Sequence, residues 1–132
     1  MNENEAADMY MRRLRCSNCY LTEYTNKPCK ECESYDNQSC LDSPIDIMSI
    51  HSLHFISLLV DRCETTRELA YIAAGPLEDI LSSISENDLD CALQKSEKMR
   101  RALEGVWASN GTEKRAMLDR LLLKYGLNYG HL

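Results

Sequence analysis

The chain lacks the short motifs that announce catalysis. It has no glycine-rich phosphate loop, no His-Glu-x2-His element and no Ser, His and Asp in a triad-like order, so phosphoryl transfer, zinc proteolysis and triad acyl transfer have no support in it. It also lacks an excess of positive charge. The formal net charge is −6, with residues 1–44 carrying 5 Lys/Arg against 8 Asp/Glu and residues 45–132 carrying 10 against 13. Nucleic-acid binding depends on Lys and Arg that neutralise phosphates, so this balance makes nucleic acid an improbable partner. The opening, Met1-Asn2-Glu3-Asn4-Glu5, has no basic start or apolar run and does not read as a secretory signal. The most apolar window, Ile45 to Val60, is interrupted by Asp46, Ser49, His51, Ser52, His54 and Ser57, and is too short and too polar to span a bilayer. No alternation of strand and helix patterns and no internal repeat is present. These absences lead to the expectation of a cytoplasmic protein.

What the sequence does have is cysteine, unevenly spread. Of its 7 cysteines, residues 16, 19, 29, 32 and 40 fall before Pro44, whereas most Leu, Ile, Val and Ala follow it. That shift sets an expected boundary near Ser43, with a disordered polar start over 1–8, a metal-binding module over 9–43 and an all-helical domain over 44–132. In a reducing compartment such cysteines are thiols or metal thiolates rather than disulfides. Cys16/Cys19 and Cys29/Cys32 form two Cys-x2-Cys pairs. Each pair lets two sulfurs reach one ion, and two pairs on a short hairpin close a tetrahedron around a structural Zn2+.

The alternatives are redox-active thiols and an iron–sulfur cluster, though two tight pairs suit a single ion better than a cluster. Tyr20 and Glu33 stand where zinc knuckles commonly carry glycine, and Asn18 supplies some tolerance for a left-handed turn. Between the pairs, Tyr20, Thr22 and Tyr24 alternate with Leu21 and Glu23 before Thr25-Asn26-Lys27-Pro28, the pattern of a β-hairpin. Four thiolates around one dication would make this acidic module more negative still. Cys40, His51, His54 and Cys63 are a weaker candidate for a second site, since two histidines on an apolar helix are more often packing groups.

The remainder reads as helices. Ser43-Pro44-Ile45-Asp46 looks like a helix start, with a serine cap, proline at the first position and an acid two residues later. This helix is expected to run to Arg62. Thr65-Thr66-Arg67-Glu68 is a second capping box, opening a helix expected to stop at Gly75-Pro76. Leu77, Ile80, Leu81 and Ile84 then form an apolar stripe, and another helix should follow from Ser85–Asp88 to Asn110-Gly111. The last helix starts at Thr112 and ends at Gly126. The expected fold class is mainly α: a bundle of about five helices with a small N-terminal zinc-binding β-hairpin module.

Ala73-Ala74-Gly75-Pro76-Leu77-Glu78-Asp79 is the most distinctive string outside the cysteines. It reads first as a capped corner between two helices, with Glu78 and Asp79 at a positive helix end. The longer string Ala70 to Leu81, followed by Arg-Arg-Ala-Leu-Glu-Gly-Val-Trp at 100–107, resembles a family of small bacterial helical domains of unknown function. The resemblance covers about residues 45–108 and implies a helical fold and a bacterial or phage setting. The cysteine-rich front lies outside it.

Trp107 is expected to anchor the core at a helix end. Lys95, Lys98, Arg100 and Arg101 form the one basic cluster, most simply a solvated helix face. Together these features point to a non-enzymatic protein-interaction module with structural zinc, of the adaptor or immunity-protein kind. Its expected partner is another protein with a basic surface, met by Glu78 and Asp79 and by the acidic loop residues Glu31, Glu33 and Asp36. The alternative is a zinc-stabilised nucleic-acid-binding regulator, for which Arg12, Arg13, Arg15, Lys27 and Lys30 would have to gather on one face.

Overall fold

Asn2 opens the first helix. Its side-chain oxygen accepts the Glu5 N–H at 2.8 Å while its amide donates to Glu5 Oε1 at 3.3 Å, so the first turn of α1 (Glu3–Arg15) is capped in both directions. Glu3 and Glu5 lie at its N-terminal end and Arg12, Arg13 and Arg15 in its last turn, the order that favours the helix dipole. Ala6, Ala7 and Met11 are its buried residues. The segment expected to be disordered over 1–8 is therefore helical from Glu3. A local cap and graded charge outweigh a composition that lacks large apolar groups.

The computed structural model describes residues 2–16 and 52–132. The chain divides into two units, Met1–Ile50 and His51–Leu132, later than the boundary drawn at Ser43. The expected β-hairpin and the Ser43–Asp46 helix start lie outside the described residues. Among the described residues every regular element is a helix, and none is long and apolar enough to cross a membrane.

In the second unit, α2 (Leu53–Arg62) opens at Ser52, whose backbone is extended and whose Oγ accepts the Phe55 N–H at 3.2 Å. A helix running unbroken from Pro44 to Arg62 is thereby excluded. The serine offers the free amides of the first turn a partner that helix propagation would not. Phe55, Ile56, Leu59 and Val60 form the buried face of α2. At its far end, Lys98 Nζ donates to the carbonyls of Asp61 and Cys63 at 3.0 and 2.9 Å, meeting the negative end of the helix with a cation.

α3 (Thr66–Ile72) begins at the predicted capping box: Thr65 Oγ1 accepts the Glu68 N–H, and Glu68 Oε1 accepts the Glu64 N–H. The helix does not stop at Gly75-Pro76. It continues through a π-helical turn over Ala73–Leu77 into α4 (Glu78–Ile80), and Ile72, Ala73, Leu77 and Glu78 all keep right-handed helical angles. Proline lacks an N–H and its ring collides with the carbonyl four residues back. Widening the turn accommodates both without ending the helix.

Ser85 caps α5 (Glu86–Lys95), and Ser96, extended in backbone, separates it from α6 (Glu97–Leu103). One helix from Ser85 to Asn110 is thus replaced by two. Ser96 Oγ accepts the Met99 N–H at 3.1 Å, and Arg100 donates to the Leu93 carbonyl at 2.6 Å, covering the end of α5. α7 (Glu113–Tyr125) opens at Thr112 and ends at the left-handed Gly126. There Leu127 N–H reaches the Leu122 carbonyl at 2.8 Å and Gly126 N–H the Leu123 carbonyl at 3.3 Å, the paired bonds of a Schellman ending.

The core of this unit gathers Ile56 and Leu59 of α2, Ile72 of α3, Leu89 and Leu93 of α5, Met99 and Leu103 of α6 and Leu118 of α7, all fully buried. Each leucine-sized chain removed from water contributes roughly 1.5–3 kcal/mol before entropy is counted. A charged clasp joins α5 to α7: Arg120 Nε meets Glu86 at 2.9 Å, Lys124 meets Asp90 at 2.6 Å, and the Tyr125 hydroxyl donates to Asp90. Hydrogen bonds from Arg120 hold the Glu86 carboxyl below its ordinary pKa, and those from Lys124 and Tyr125 do the same for Asp90. The same contacts raise Arg120, Lys124 and Tyr125.

Candidate functional site

Of the four expected zinc ligands, Cys16 is described. It follows the last turn of α1, half-buried and extended, with its N–H bonded to the Arg12 and Arg13 carbonyls. The three arginines of that turn bring positive charge to the place where a thiolate would sit. Cys19, Cys29 and Cys32, the acidic loop residues Glu31, Glu33 and Asp36, and Cys40 and His51 all lie outside the described residues. Among the described residues no three His, Cys, Asp or Glu side chains converge as a metal site would require.

The second candidate set does come apart in part. His54 is exposed in the first turn of α2, whereas Cys63 follows its last residue, is 4% exposed and donates from Sγ to the Leu59 carbonyl. At 1.5 Å of rise per residue the two lie on the order of 13 Å apart along the helix axis, too far for one ion. His54 instead lines an open groove of about 660 Å3 between α2 and α5, with Ser57, Asp61, Asp88, Cys91 and Lys95.

The basic cluster is largely committed within the unit. Lys98 covers the end of α2, Arg100 the end of α5, and Arg101 donates to Thr66 Oγ1 at 2.9 Å. Three of its four cations therefore have structural acceptors, and carbonyls and a threonine hydroxyl fix where they point.

The two strings that mark the sequence meet in space. Glu78 Oε1 accepts the Trp107 backbone N–H at 2.9 Å. Gly105 lies against α3 and its π turn so closely that a Cβ there would stand 3.0 Å from Ala73 Cβ and 3.0 Å from Leu132 Cδ2. The buried Glu104 accepts the Asn128 N–H on its carboxylate at 2.8 Å, and its carbonyl accepts the Leu132 N–H at 3.4 Å. Ala73–Asp79, Glu104–Trp107 and the C-terminal segment are thus locked into one corner. Glu78, expected as a partner contact, is half-buried and holds the Trp107 loop; Asp79 beside it is exposed.

Trp107 does not anchor the core. It is 58% exposed, because α6 ends at Leu103 and the helical period that would carry position 107 inward ends with it. Val106 is buried in its place. The indole is nonetheless fixed. Its ring meets Tyr129 edge-on at 5.4 Å and 74°, and Gly130 packs beside it. Tyr129 is itself held: its hydroxyl accepts the Ala108 N–H and donates to the Ala108 carbonyl, both at 3.2 Å. The Arg115 guanidinium lies over the Tyr129 ring at 3.6 Å and bonds Asp119 and the Ala108 carbonyl.

The arrangement presents a rigid exposed tryptophan flanked by tyrosine, arginine and carboxylates, a set suited to binding rather than bond making. Sequence reasoning missed Tyr129 and Arg115 entirely. No spacing rule joins residues of a helix start and a chain tail to a tryptophan before the fold brings them together.

No curated protein and no solved structure matches the chain. A family model does match, over residues 29–120, and its description is "Family of unknown function (DUF6869)". The match is wider than the 45–108 stretch expected from the two strings: it takes in Cys29, Cys32 and Cys40 and leaves out Cys16 and Cys19. On that match, which includes the Ala73–Asp79 turn and Glu104–Trp107 and ends before Tyr129, the chain belongs to the DUF6869 family of unknown function.

Proposed function

We propose that this protein is a non-enzymatic protein-interaction module of the bacterial or phage cytoplasm, an adaptor or immunity-type protein whose partner docks on the Trp107 corner. The observation that carries the proposal is Trp107 itself. A large indole is left 58% exposed although Glu78, Tyr129 and Gly130 hold its loop and ring in place, with Arg115 stacked on Tyr129 behind it. Fixing an exposed aromatic lowers the entropy lost on association, and Trp, Tyr and Arg are the side chains that most often dominate interface energetics. Glu78 and Asp79 supply negative charge at the edge of this surface, and with the net charge of −6 they favour encounter with a basic protein.

Under this reading the four cysteines Cys16, Cys19, Cys29 and Cys32 hold a structural zinc that orders the front unit, and Glu31, Glu33 and Asp36 add to the partner surface. One zinc per chain is expected on elemental analysis of protein purified without chelator, reduced by Cys16→Ser. The interaction is tested by tagged capture from the native host with wild type and Trp107→Ala in parallel, each checked for an unchanged melting curve. The expected result is a stoichiometric partner retained by wild type and lost by the variant. Equal retention by both proteins would remove the Trp107 surface from the interface.

A further inference from the structure

We infer that Trp107 and Glu78 form a seat for a cationic side chain, the lysine or arginine of a basic segment on the partner. This deepens the protein-binding reading and rests on it. The face of an indole carries negative charge density and is the best aromatic surface for a cation. In this corner a carboxylate sits at the backbone from which the indole projects, since Glu78 Oε1 accepts the Trp107 backbone N–H at 2.9 Å. Among the described residues no cation pairs with that carboxylate: Arg115 is paired with Asp119 at 2.9 Å and stacked on Tyr129. Glu78 therefore leaves the local charge negative, and exposed Asp79 follows it in the chain.

The molecule already contains the same packing mode one ring away, where the guanidinium of Arg115 covers Tyr129. Tyr129 has its face taken by that cation, whereas Trp107 remains open to solvent. An apolar occupant on Trp107 would strip water from Glu78 and return nothing to it. A cation returns an ion pair as well as the stacking contact.

Trp107 is the chain's single tryptophan, so the fluorescence of the full-length protein reports on this seat and on nothing else. The expected emission is solvent-like and quenched more effectively by caesium ions than by iodide, as a negative surround requires. Titration with a short arginine-rich peptide should change it saturably, while a glutamate-rich peptide of equal length leaves it unchanged. Glu78→Gln keeps an oxygen that can accept the Trp107 N–H but loses the charge. It should weaken arginine-peptide binding by about threefold and narrow the gap between the two quenchers.

A protected emission in the absence of peptide, no saturable change, or an equal response to both peptides would overturn the inference. If Trp107→Ala loses the captured partner while the arginine peptide leaves wild-type emission unaltered, the cation seat is wrong and the protein-binding surface stands. If Trp107→Ala keeps the partner, the surface itself is wrong.

Discussion

Residues 66–80 and residues 86–103 treat helix continuity in opposite ways. The first region contains Gly75-Pro76, the strongest stop signal in the helical unit, and the helix runs through it as a π turn. The second contains neither glycine nor proline, and the helix breaks at Ser96. The difference lies in where displaced backbone groups find partners. Around Pro76, buried Ala73, Leu77 and Ile80 hold the rod in place while a wider turn absorbs the missing N–H. At Ser96 a hydroxyl takes an amide of the next helix, and Arg100 takes the carbonyls of the previous one, so a break leaves few groups unpaired. Propensity proposes a helix end; hydrogen-bond supply and packing decide it.

Four measurements would break or sharpen this comparison. The largest effect is expected from Gly105→Ala, which puts a Cβ 3.0 Å from Ala73 Cβ, an atom fixed to the very rod that bypasses the stop signal. Urea unfolding should show a loss of about 2 kcal/mol, and an unchanged midpoint would mean that the rod is free to shift. Next comes Ser96→Ala, which removes the cap that divides α5 from α6. It should cost about 1 kcal/mol in the same assay, and a gain in stability would show that the break is imposed from elsewhere.

Gly75→Ala has the opposite sign. Gly75 has a helical neighbourhood, no positive φ and nothing within 4 Å of where a Cβ would sit, so alanine should raise stability by about 0.7 kcal/mol. A loss would mean that the π turn itself depends on glycine.

The smallest effect concerns the clasp that holds α7 on α5. Glu86 and Asp90 have folded pKa values below their unfolded ones. Their contribution is therefore present above the ordinary carboxylate range and lost as pH falls through the depressed values, below about pH 4. The melting temperature of wild type should exceed that of Asp90→Asn near neutrality, and the gap should close in acid. Lys124 and Tyr125 are raised, so their contribution is complete below their ordinary values and disappears as pH climbs through the raised ones, beyond about pH 10. A gap independent of pH would detach the clasp from stability.

Much of the helical unit was legible. Thr65, Ser85, Thr112 and Gly126 mark helix ends where their chemistry says they should, because a cap acts within three or four residues and needs no tertiary partner. The break at Ser96 was hidden because the apolar spacing from Leu89 to Leu103 stays nearly in phase across it, and periodicity alone does not detect one extended residue. Ser52 was hidden in the same way, within an apolar run that reads as one helix. The Trp107 corner was half legible. Its two strings stood out as wording, but their contact and the glycine that permits it join residues more than 25 positions apart, and Tyr129 reaches the indole from 22 positions away.

Local chemistry in the chain by itself settled the helical class, most of the caps and the charge order of α1, since each of these depends on neighbours within one turn. Only the folded molecule decided that Gly75-Pro76 would be traversed, that Ser96 would divide a helix, and that Trp107 would face water on a support of Glu78, Tyr129 and Arg115. Those outcomes turn on which distant groups arrive to fill a backbone vacancy or cover a ring, and sequence spacing carries no record of that arrival.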